Sequence, residues 1–100
     1  MRHVAVVLRA EPTTGDRLAE GLRNALGFTL ARENRVSVYF LTPARPALVS
    51  PLPCYRRPID GLRACRARLV VEGGACGDAV PATRDDIYAE LSDCDAITCW

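Results

Sequence analysis

The chain has 100 residues, 49% of them apolar and 25% charged, with a formal net charge of +1. That is enough chain for a single domain, residues 1–100, around one modest core, and it leaves no room for a second. All 13 basic residues are arginine, which rules out lysine Schiff-base chemistry and a Walker-type phosphate lysine, while the near-neutral balance argues against a non-specific nucleic-acid binder.

His3-Val4-Ala5-Val6-Val7-Leu8 is a nearly continuous apolar run, the pattern of a strand buried on both faces. A strand is predicted over 3–9, followed by a polar loop through Gly15. Thr13 and Asp16 have capping-box spacing, and a helix is predicted over 15–31. Leu18, Leu22, Ala25, Leu26 and Leu30 share one of its faces. Gly21 sits among apolar neighbours, where a missing side chain permits close approach to a sheet.

Val36-Ser37-Val38-Tyr39-Phe40-Leu41 is β-branched and aromatic, and predicts a second strand over 36–42. Five of the seven prolines fall within 43–58. Because interior prolines remove donors and clash with the preceding turn, that stretch is read as a loop with one helical turn near 44–49. A short helix is predicted over 59–66 and a third strand over 68–72. The glycine-dense loop Gly73-Gly74-Ala75-Cys76-Gly77-Asp78 follows, then a very short strand at Ala79–Val80. Thr83 and Asp86 again have capping-box spacing, opening a helix over 84–92, and a strand over 95–100 closes the chain.

Alternating strands and helices predict a three-layer α/β/α sandwich with a mainly parallel sheet of four to five strands. Ligands in such sheets bind beyond the strands' C-terminal ends. That edge nominates Arg9 and Glu11 after the first strand, Thr42 and Arg45 after the second, Glu72 to Cys76 after the third, and Cys99-Trp100 after the last. His3 lies at the other end of its strand and reads as a surface residue.

The five cysteines, Cys54, Cys65, Cys76, Cys94 and Cys99, are odd in number and hold no C-x-x-C pair. With one histidine in the chain, no metal site is expected, nor any cofactor. No apolar run approaches the ~20 residues that span a bilayer, and the start lacks a signal-peptide pattern. A cytoplasmic protein without membrane contact is therefore expected, its thiols reduced. Cys65, Cys94 and Cys99 read as core positions. Cys76 is the candidate reactive thiol: glycine-rich turns aim N–H groups at anions, which favours a thiolate, and Arg9 at the same edge is the candidate cation.

The opening strand, the helix Arg17-Leu18-Ala19-Glu20-Gly21-Leu22-Arg23-Asn24-Ala25-Leu26, the strand Val36–Leu41 and the ending Leu91-Ser92-Asp93-Cys94-Asp95-Ala96-Ile97-Thr98 resemble the DsrE/DsrF-like family of small sulfur-relay proteins. The resemblance covers most of the chain. It implies a cytoplasmic trimer or hexamer, or assembly with related subunits, and a persulfide carried on a cysteine just after the third strand, with sulfur donor and acceptor proteins as partners. Here the position directly following Leu69-Val70-Val71 is Glu72 and the nearest thiol is Cys76.

Two functions follow. One is a sulfur carrier or sulfurtransferase subunit with Cys76 catalytic and Arg9, Glu11, Thr42, Gly73 and Gly74 as binding residues. The other is a non-catalytic oligomeric binding or structural subunit of the same fold. A nucleic-acid adaptor using Arg56, Arg57, Arg63, Arg66 and Arg68 is a third, disfavoured by charge: residues 54–68 carry five arginines against one acid, but residues 69–100 carry one against seven. These opposed segments also suit contact between copies of the chain.

Overall fold

The apolar runs become the interior of one sheet. In the computed structural model, which describes residues 1–12 and 16–100, β1 (Arg2–Leu8), β2 (Asn34–Phe40), β3 (Arg68–Glu72), β4 (Val80–Ala82) and β5 (Ala96–Cys99) lie in the order β4-β3-β2-β1-β5. Every pairing is parallel. β1 and β2, the longest strands, are fully buried over Val4–Leu8 and Val36–Phe40. This explains why their sequences do not alternate.

One face is covered by α1 (Arg17–Phe28), a 3-10 segment (Thr42–Val49) and α2 (Pro53–Ala64). There Leu18, Leu22, Ile59 and Leu62 meet Val6, Leu8, Val38 and Phe40. Among the described residues the other face carries only α3 (Arg84–Leu91), whose Ile87 joins Ala5, Val7, Tyr39 and Val70. The two clusters form the expected three layers, with a thinner second cover. Because β5 is an edge strand, Ile97 and Cys99 are exposed. They share the face of Ala5 and Val7 through the registers Ala5↔Ile97 and Val7↔Cys99.

The expected close approach at Gly21 is present: a Cβ there would lie 2.7 Å from Leu8 Cδ2 and 2.8 Å from Trp100 Cγ. α3 starts as predicted, with Thr83 Oγ1 accepting from the Asp86 amide at 3.1 Å. The matching cap at Thr13 lies outside the described residues. β3 and β4 are parallel yet joined by only residues 73–79. The return is short because Val80 pairs with Val70, so the chain drops back two residues, about 7 Å.

The proline-rich stretch corrects the sequence reading. α2 starts at Pro53, six residues before the predicted helix, and runs through Pro58. Pro53 occupies the first helical position, where its missing N–H costs nothing. Pro58 forfeits one backbone bond, and its ring is buried. Ahead of it the predicted single turn extends to an eight-residue 3-10 segment. α1 ends at Phe28, so Leu30 is beyond the helix and 82% exposed rather than on its apolar face. The short strand lies at Val80–Ala82 rather than Ala79–Val80.

Candidate functional site

At the C-terminal edge, the ends of β2, β3 and α3's first turn converge on one carboxylate. Glu72 Oε1 accepts from the Thr42 amide at 2.8 Å and from its hydroxyl at 2.7 Å. Arg84 adds Nε to Oε2 at 2.6 Å and Nη2 to Oε1 at 3.0 Å. These bonds, Arg84's first, pull the Glu72 carboxyl from 4.5 down to about 2. Glu72 is thus an ionised clamp joining three elements.

Beside it, Arg45 of the 3-10 segment donates Nη1 to the carbonyls of Glu72 and Gly74, both at 2.7 Å. The loop beneath uses positive φ at Gly73 (97°) and Gly77 (59°), conformations that other residues adopt at a cost. Cys76 is half-buried, its Sγ directed at the Arg45 carbonyl oxygen at 3.7 Å. Arg45→Ala should therefore free the Gly73–Gly77 loop at a cost of about 1 kcal/mol. Amide exchange at Ala75 and Cys76 should quicken while that of β1 stays unchanged; unaltered loop exchange would show that Arg45 does not hold it.

Thr42, Gly73, Gly74 and Cys76 are thus brought together, with Arg45 as the guanidinium touching their loop. Arg9 and Glu11 are elsewhere. They follow β1, two strand positions from β3, or about 10 Å, where the Arg9 and Ala10 amides donate to the Trp100 carbonyl at 2.6 and 3.1 Å.

All five cysteines are free. Two of those read as core are exposed: Cys65, which caps the end of α2, and Cys99, on the edge strand. Cys94 packs against the α3-side core, and burial, reinforced by Asp93, Asp95 and Glu90, raises its thiol pKa.

A cavity of about 470 Å³ opens at the opposite end of the sheet. Here His3 is half-buried instead of a simple surface residue. Its Nε2 lies 2.9 Å from Ser37 Oγ and its Nδ1 3.7 Å from Cys94 Sγ. Arg35, Arg66, Arg68, Glu90 and Asp93 complete the charged lining. Sequence reasoning passed over this cluster because α/β sheets usually bind ligands at the other edge. Strand alternation was the available signal: it puts His3 on the face of Ala5, and Ser37 on that of Tyr39.

The charged segments meet within one chain. Arg63, of the basic stretch, bonds Asp78 at 2.6 Å, and Arg68 pairs with Glu90. Among the described residues, no group of three or more His, Cys, Asp or Glu is placed to hold a metal ion, and no helix is long and apolar enough to cross a membrane.

No protein-family model and no curated protein matches the sequence. A solved structure does match: the crystal structure of the ychN protein from E. coli superposes over 100% of both chains, with a TM-score of 0.85 at 13% identity. That neighbour is a DsrE/DsrF-like fold protein.

Proposed function

We propose that this chain, whose fold is DsrE-like, is a cytoplasmic sulfur-relay protein carrying a persulfide on Cys76. It would work as a homo-trimer or homo-hexamer, or with related subunits. The observation that carries this reading is a free, half-buried thiol in a glycine-framed loop at the C-terminal edge of the sheet. In the step envisaged, the Cys76 thiolate attacks the terminal sulfur of a donor persulfide. The donor S–S bond breaks, a new S–S bond forms on Cys76, and the donor leaves as a thiolate that takes up a proton. No outside oxidant is needed.

A second reading, a non-catalytic subunit of the same fold, is favoured by Glu72. Its carboxylate is fully engaged by Thr42 and Arg84 where the relay family carries sulfur.

Incubation with glutathione persulfide followed by intact and peptide mass spectrometry separates the two. The expected adduct is one sulfur atom per chain on Cys76, lost in Cys76→Ser with the fold retained. Sulfur on another cysteine, or none, would leave the subunit reading. Light scattering tests assembly, and a monomer at micromolar concentration and low salt would count against it.

A further inference from the structure

α2 ends in a Schellman turn. The Ala67 amide donates to the Leu62 carbonyl at 2.9 Å and the Arg66 amide to the Arg63 carbonyl at 3.0 Å. The residue at the left-handed position of this motif is normally glycine. Here it is Arg66, at φ 60°, the one described non-glycine residue with positive φ. A left-handed conformation costs such a residue about 1–2 kcal/mol. Strained backbone of this kind collects at functional sites, and Arg66 lines the rim of the 470 Å³ cavity.

The charge balance in that cavity is unequal. Glu90 is committed: Arg68 pairs with both its oxygens and the Tyr39 hydroxyl donates to it at 3.1 Å. Among the described residues, Arg35 and Arg66 form no ion pair, and they face a single uncommitted acid, Asp93. Behind them Ser37, only 1% exposed, and His3 are paired with each other at 2.9 Å. Asp93 and the C-terminal ends of α2 and α3 bring negative charge to this edge, so the positive potential is local to the two unpaired guanidiniums.

We propose that this cavity binds a small organic phosphate, with Arg35 and Arg66 holding the phosphoryl group. One arginine suffices for a carboxylate, which accepts a single fork. Two guanidiniums offer paired donors to the three oxygens and match the near-dianionic charge of a phosphate monoester. The volume falls within the range of small-ligand pockets and exceeds what the phosphoryl group alone fills. This site is independent of the thiol chemistry at the other edge.

Titrating the isotope-labelled protein with inorganic phosphate, and separately with phenyl phosphate, at constant ionic strength tests it. Saturable amide shifts are expected at Val36, Ser37 and Arg66, with affinity at least tenfold weaker in Arg66→Gly. That variant should melt at the same or a higher temperature, because glycine relieves the left-handed strain. A merely structural Arg66 would leave affinity unchanged, and that result overturns the proposal. So do shifts that chloride reproduces at equal ionic strength. Tighter binding of phenyl phosphate is expected; binding no tighter than that of inorganic phosphate overturns the assignment to an organic phosphate.

Discussion

Gly21→Ala is expected to destabilise the domain by about 2 kcal/mol, the reverse of its effect on an isolated helix. On an open surface, alanine gains about 1 kcal/mol over glycine. Here the new Cβ would meet Leu8 Cδ2 at 2.7 Å and the Trp100 Cγ and Cβ at 2.8 and 2.9 Å. Leu8 is fully buried in a central strand, so its methyl has no space to retreat into, and overpacking costs about 1–3 kcal/mol. Valine adds two methyls to the same gap and should cost more. For a domain of this size the alanine variant should melt about 10 °C lower. Gly27 is the internal control, since nothing lies within 4 Å of a Cβ there. Gly27→Ala should be neutral or mildly stabilising. If Gly21→Ala raised the melting temperature, α1 would not sit this close to β1 and the C-terminal residue.

Gly21 shows why so much of the fold was legible. Its neighbours Leu18 and Leu22 repeat at helical spacing, so a residue without a side chain on that face implies a near neighbour. The strands were equally plain: Val4–Leu8 and Val36–Phe40 are buried on both faces, and only an interior parallel strand tolerates such runs. Proline was the weak point. Pro53 and Pro58 read as breakers, but position within the helix decides their effect. At the first position the missing donor has no partner to lose, and at Pro58 a buried ring compensates a single lost bond.

The site was less legible because long-range pairing assembles it. Connection order puts Arg9, Thr42 and Cys76 on one edge, but only the strand order shows β2 standing between β1 and β3. That separation takes Arg9 away from the glycine loop and leaves Arg45 to grip it. Cys65 and Cys99 fit apolar periodicities, yet one caps a helix end and the other faces out from an edge strand. Arg66 carries no sequence signal of its own. Its left-handed backbone follows from where α2 stops, and helix ends are the least certain feature of any periodic pattern.

The second large effect is expected at Glu72, where the resemblance would have a cysteine. Glu72→Ala removes two bonds from Arg84 and two from Thr42, untying β3 from the end of β2 and from α3. Hydrogen bonds to charged groups are worth more than neutral ones, but Arg84 is half exposed, so water and salt screen its share. The expected loss is about 2 kcal/mol at neutral pH. Its pH dependence identifies the cause. The folded carboxyl titrates at about 2 rather than 4.5, so the clamp's contribution is complete above about pH 5 and fades as pH falls toward 2. Urea unfolding of the wild type and Glu72→Gln across that range should converge at the acid end and diverge toward neutrality, and added salt should narrow the gap. Parallel profiles would mean that the carboxylate is not held as described. Glu72→Cys would install a thiol where the resemblance would have one, and it should lose the same stability as alanine. Such a loss would explain how a chain built around this ion pair comes to have its nearest thiol four residues further on, at Cys76.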